Sequence, residues 1–150
     1  MEKKKELSKE EKEKQAKIKL LKQVYWDEKN LKRLQEKLEK ITIKIESIRS
    51  SNISSMPKSS GLAQDISDLL GQQEEYQSLI IKKIMKLEES RQKAESSIDT
   101  LEDSRLKLIL NYVYLEDMTF KEIAVDLRKS ERHIRRLHDI AIRLMKIVKN

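Results

Sequence analysis

Seven residues in one short stretch, Arg128, Lys129, Ser130, Arg132, His133, Arg135 and Arg136, carry most of the chemistry this chain can offer. A guanidinium presents a planar fork of donors that pairs with the O6 and N7 acceptors of guanine. Lysine, serine and imidazole groups suit phosphate oxygens, which position a protein without reading sequence. Charge agrees: residues 128–150 hold eight Lys/Arg against Glu131 and Asp139, so +6 of the chain's net +7 sits there. Clustered positive charge is the footprint of a polyanion binder. The bland alternative is a solvated basic face on an amphipathic helix.

Other chemistry finds no foothold. The sequence has no phosphate-cradling Gly loop, no Gly-x-Ser-x-Gly and no cysteine nucleophile. His133 and His138 are five apart, on different sides of a helix, so they are not expected to share a metal. His138 reads as a rim residue near a core; His133 is open between a phosphate contact and plain exposure. Carboxylates alternate with lysines and read as solvated i,i+4 pairs. The expectation is a protein that is not an enzyme and holds no cofactor or metal.

The elements that must position these side chains are legible around them. Thr119 is a good N-cap, and Glu122 three residues on completes a capping box. Phe120, Ile123, Ala124 and Leu127 then fall on one face of a helix of roughly two turns. Ala124 is small enough for a second helix to approach closely. Ser130 offers another N-cap, followed by a stripe of Ile134, Leu137, Ala141, Met145 and Val148, predicting a helix over 131–148. Arg132, Arg136 and Arg143 lie opposite that stripe, with His133 and Arg135 flanking it. Arg132 and Arg136 sit near the amino end, the part of a recognition helix that reaches base edges. Arg143, about 10 Å further along the axis, would touch phosphate or nothing. A helix over 101–115, with Leu106, Ile109, Leu110 and Val113 inward and Glu116-Asp117 at its end, completes the module. Two short helices, a tight turn and an arginine-loaded second helix describe a helix-turn-helix DNA reader.

From Leu101 to Met145 the chain resembles the last DNA-binding region of bacterial primary sigma factors, region 4, over about 45 residues without a gap. The resemblance rests on Leu106, Ile109 and Leu110, on Thr119-Phe120-Lys121-Glu122-Ile123-Ala124, and on Leu127, Ser130, Ile134-Arg135, Leu137 and Ala141-Ile142-Arg143. The whole chain is similar to small phage and prophage regulators of the ArpU, RinA and LtrC type, which join a helical part to a sigma-like helix-turn-helix. That resemblance implies control of late, packaging or lysis genes and RNA polymerase as a second partner. Departures are informative. Sigma-type turns usually carry Gly then an apolar residue where Arg128 and Lys129 stand, so Arg128 must adopt a left-handed conformation or reshape the turn. Sigma factors commonly carry Glu and Gln where Arg132 and Arg136 stand. Two guanidiniums in their place predict a guanine-containing site rather than the ordinary promoter element.

Composition fits long helices: 39% charged, 4% aromatic, two glycines and one proline. The predicted class is all-α, a long antiparallel coiled-coil-like hairpin followed by the helix-turn-helix module. Residues 1–16 read as a charged tail, 17–100 as the hairpin with a loop at 50–63, and 101–150 as the DNA-binding module. Leu20, Val24, Leu31, Leu34, Leu38, Ile41, Ile45 and Ile48 form the first seam, interrupted by Asp27. Ile66, Leu69, Tyr76, Ile80, Leu87, Ala94 and Leu101 form the second, over about 64–100, with Ile84 and Ile98 beside it and Gln73 and Lys83 weakening it. A two-helix hairpin buries little, so self-association into a homo-oligomer is expected. Lack of cysteine suits a reducing bacterial cytoplasm. No apolar run approaches the roughly 20 residues of a membrane span, and no signal peptide is visible.

These readings converge on a DNA-binding transcription regulator whose partner is double-stranded DNA. The alternatives are a small-terminase-like DNA-packaging protein and a coiled-coil adaptor of the transcription machinery.

Overall fold

The computed structural model describes residues 7–51 and 60–149, and contains helices and connections with no strand among them. Helix α1 spans Lys9–Ser51 and α2 spans Ser60–Ile98. Three short elements follow: α3 at Ser104–Leu110, running on into a π-helical stretch at Asn111–Leu115, then α4 at Phe120–Leu127 and α5 at Glu131–Leu144. The all-α architecture is as the sequence predicts. No helix among the described residues is long and apolar enough to cross a membrane.

Helix boundaries in the long helices differ from expectation. Residues 9–16 of the expected tail are helical, because Ser8 and Glu11 form a reciprocal cap: the Glu11 N–H donates to Ser8 Oγ at 3.2 Å and the Ser8 N–H to Glu11 Oε2 at 3.0 Å. Ser50 and Ser51 close α1 while residues 60–63 open α2, so what remains of the expected loop, 52–59, lies outside the described residues. Residues 1–6 lie outside them too.

The chain divides into two compact units. One takes α1 up to Asp27 with everything from Leu87 onward; the other is Glu28–Lys86. The start of α1 and the end of α2 thus pack with the carboxy-terminal module.

Within Glu28–Lys86, α1 and α2 run antiparallel around Ile45, Leu69 and Ile80. Gln73, expected to weaken the seam, instead crosses it: its Nε2 donates to Thr42 Oγ1 at 3.2 Å. Lys37 Nζ lies 6.0 Å from the centre of the Tyr76 ring. Ile84 is exposed rather than beside a buried seam.

In the other unit Leu21 and Val24 of α1 and Ala94 and Ile98 of α2 share one core with Leu101, Leu106, Leu110, Tyr114, Ala141, Ile142 and Met145. Leu21, not the expected Leu20, is the fully buried residue; Leu20 packs on the rim. Asp27 does not interrupt the seam but sits inside it, 1% exposed. Its carboxylate accepts from Gln23 Nε2 at 3.0 Å and from Ser90 Oγ. A buried carboxylate with two donors is a satisfied polar layer, and such a layer penalises any register that would separate its members.

Replacing Asp27 by Ala strands those donors and is expected to cost about 1–3 kcal/mol. Urea unfolding checks this, with Asp27→Asn, which keeps an acceptor, losing less.

Candidate nucleic-acid interface

The interface is built on a second cluster, Ile109, Ile123, Ala124 and Ile134, closed by Phe120, Leu127 and Leu137. These are the apolar residues that helical spacing predicts for α3, α4 and α5. Both predicted caps are formed. Thr119 Oγ1 accepts the Glu122 N–H at 3.2 Å and Glu122 Oε2 accepts the Thr119 N–H at 2.8 Å. Ser130 Oγ accepts the His133 N–H at 3.1 Å and opens α5.

The turn between them takes the left-handed route. Arg128 has φ 53° and ψ 46°, and caps α4 through its own N–H and that of Lys129, which reach Val125 O at 3.3 Å and Ala124 O at 3.0 Å. An L-residue pays about 1–2 kcal/mol for this conformation.

Three groups hold α5 from beneath. Ile134 is fully buried. His138, 8% exposed, lies inside the core boundary, where its Nε2 shares a hydrogen bond of 2.8 Å with the Tyr114 hydroxyl. Phe120 packs edge-on against the same imidazole, ring centres 5.2 Å apart. Burial pushes the Tyr114 hydroxyl up to about 12, so it remains a donor. Burial also lowers the His138 pKa, against the pull of Asp139, whose Oδ1 is 3.6 Å from Nδ1. A neutral imidazole accepting at Nε2 then carries its proton at Nδ1, toward Asp139.

On the outer side, Arg128, Lys129, Ser130, Arg132, Arg135 and Arg136 are exposed and His133 is half-buried. They differ in what already occupies them. Arg135 donates to Glu131 Oε1 at 2.6 Å and lies over the Phe120 ring at 4.6 Å. Arg128, Lys129, Arg132 and Arg136 enter no ion pair among the described residues. Two unengaged guanidiniums one turn apart, at the capped end of a seated helix, can donate to base-edge acceptors. Among the described residues no group of three or more His, Asp or Glu could hold a metal ion.

The far end of α5 corrects the sequence reading. The helix stops at Leu144, and Met145 is extended rather than helical. The next amides find acceptors elsewhere, Lys146 N–H on Thr100 Oγ1 at 2.9 Å and Val148 N–H on Ser97 Oγ at 3.1 Å. Met145 still fills the core, but Val148 belongs to a strap along the end of α2.

Sequence reasoning missed the parts of the site that come from afar: Tyr114 for His138, and Lys17, whose Nζ donates to Arg143 O at 3.1 Å. The Ser8/Glu11 cap was the available sign that α1 reaches that far.

Residues 98–146 match the family model for sigma-70, region 4. The carboxy-terminal module is therefore similar to a DNA-binding helix-turn-helix domain, over nearly the span that the resemblance outlined. No curated protein and no solved structure matches the chain.

Two outcomes follow from this geometry. Arg128→Gly removes the left-handed penalty and should stabilise the module by about 1 kcal/mol in urea unfolding. The second concerns pH. Because His138 is harder to protonate in the folded state, its contribution is complete above the ordinary histidine pKa near 6.5 and is lost as pH falls through the lower folded value. Melting temperature should drop between pH 7.5 and 5.5, and His138→Gln should flatten that slope.

Proposed function

We propose that this protein is a sequence-specific DNA-binding transcription regulator of phage or prophage late, packaging or lysis genes, acting in the bacterial cytoplasm. The observation that carries the reading is the pair Arg132 and Arg136, exposed and in no ion pair among the described residues, one turn apart on a helix whose inner face is pinned by His138 and Ile134. Both guanidiniums address guanine O6 and N7 in the major groove. Arg128, Lys129 and His133 hold phosphates, Ser130 caps the helix and meets the backbone beside it, and Arg135 reaches phosphate from its seat on Phe120. The phage assignment draws on the likeness to regulators of the ArpU, RinA and LtrC type.

Double-stranded DNA is the principal partner, and RNA polymerase, implied by the sigma-like module, the second. The chain also self-associates through the hairpin, as many helix-turn-helix proteins do when they read paired half-sites. Ile81, Ile84 and Met85, 60%, 48% and 69% exposed on α2, favour this.

Selection from random duplexes should return a guanine-bearing site distinct from the host promoter element, with affinity falling steeply as salt rises, by a slope near 0.9 per phosphate contact. Arg136→Ala should cost about 1–3 kcal/mol at that site and relax base preference, whereas Lys129→Ala should weaken selected and random duplexes alike. Recovery of the ordinary promoter hexamer, or unchanged preference in Arg136→Ala, would overturn the reading.

A further inference from the structure

One side chain at the start of α5 has the opposite chemistry to its neighbours. Between Arg128 and Arg136 the chain carries six cationic or imidazole side chains and a single carboxylate, Glu131. It occupies the first position of α5, directly after the Ser130 cap and one residue before Arg132. Its side chain is 45% exposed, and Arg135 Nη2 donates to its Oε1 at 2.6 Å. The same guanidinium lies over the Phe120 ring, so the carboxylate is oriented by a group that is itself seated on α4. Its other oxygen, Oε2, accepts no hydrogen bond among the described residues.

An ionised carboxylate only accepts, and it offers about four lone-pair directions, of which Arg135 takes one. Against phosphates such a group is repelled whatever the sequence. Against base edges in the major groove it is satisfied by an exocyclic amine, N4 of cytosine or N6 of adenine, because the remaining polar atoms there are acceptors. Adenine sets its N7 acceptor beside the amine, whereas cytosine presents the amine alone, so cytosine is the better match. The first residues of a recognition helix are the ones that reach base edges. At about 100° per residue, Glu131 stands well around the helix from both Arg132 and Arg136, on the Arg135 side. It therefore addresses a base other than theirs.

Resting on the DNA-reading function above, we propose that Glu131 is a further specificity-determining residue, whose carboxylate, held by Arg135, accepts a hydrogen bond from N4 of a cytosine in the same site as the guanines. Two guanidiniums alone would tolerate many registers on a guanine-rich duplex. The acid rejects those that set guanine or thymine before it, since acceptor then meets acceptor. Arg135 has five N–H donors, so holding Glu131 leaves others for phosphate.

The test is selection from random duplexes with wild type, Glu131→Ala and Glu131→Gln, followed by affinities on the selected and a random duplex. Wild type should return cytosine at one position besides its guanines. Glu131→Ala should reduce discrimination at that position by about fivefold or more and keep the guanines. Glu131→Gln, whose amide pairs with N6 and N7 of adenine, should move the preferred base there from cytosine to adenine. That switch separates a cytosine read by Glu131 from one that only pairs with an arginine-bound guanine. An acid that serves α5 and Arg135 alone gives another result: both variants bind selected and random duplexes more tightly by a common factor, with every preferred base unchanged. This overturns the proposal and leaves the reading by Arg132 and Arg136 intact. Wild-type protein that selects no site takes both down.

Discussion

The orientation of α5 depends on one buried contact, the hydrogen bond between the Tyr114 hydroxyl and His138 Nε2. An apolar stripe alone lets a helix roll by some degrees at little cost, whereas a hydrogen bond weakens steeply when misaligned. Phe120 reinforces the setting from both sides, its edge against His138 and its face beneath Arg135. Since the inner face is fixed, so is the outer one, and with it the direction in which Arg132 and Arg136 project. The chain has a single phenylalanine, and it sits where the two helices of the motif must stay in step.

Helices as short as α3 and α4 are not stable by themselves, because nucleation costs more than two turns return. The ends of α1 and α2 supply the missing burial through Leu21, Val24, Ala94 and Ile98. That arrangement explains why the compact unit joins the start of α1 to the last part of the chain, and why Lys17 can serve as a distant cap for α5. Polar groups within the seams complement this burial. Asp27 with Gln23 and Ser90, and Thr42 with Gln73, make each pairing specific where leucines and isoleucines alone would tolerate a slip.

What could be read in one dimension was what is local. Thr119 and Ser130 announce their caps, because the capping oxygen and the N–H that donates to it lie within three residues of each other. The stripes of α4 and α5 follow from a period of 3.6, and of the two outcomes that Arg128 offers where the resemblance has Gly, the left-handed one is found. What escaped was set by contacts distant in sequence. The end of α5 at Leu144 is decided by Thr100, Ser97 and Lys17, none of which is near it in sequence. Asp27 looked like a fault in a heptad because its donors, Gln23 and Ser90, are only half-buried polar residues with no apolar signature. Arg135 looked like a free cation because nothing in its spacing reveals the ring of Phe120. The α1 start was readable from Ser8 and Glu11, but the residues after them bury nothing until Lys17, so no apolar stripe pointed to a helix there.

Methylation interference at guanine N7 tests the central claim most directly, because that atom lies in the major groove and is one of the two acceptors an arginine fork grips. If α5 reads DNA with Arg132 and Arg136, premethylation at the guanines of the selected site should abolish binding there, and the effect should shrink when either arginine is replaced by alanine. Full binding to N7-methylated sites, or interference confined to adenine N3 in the minor groove, would contradict the account.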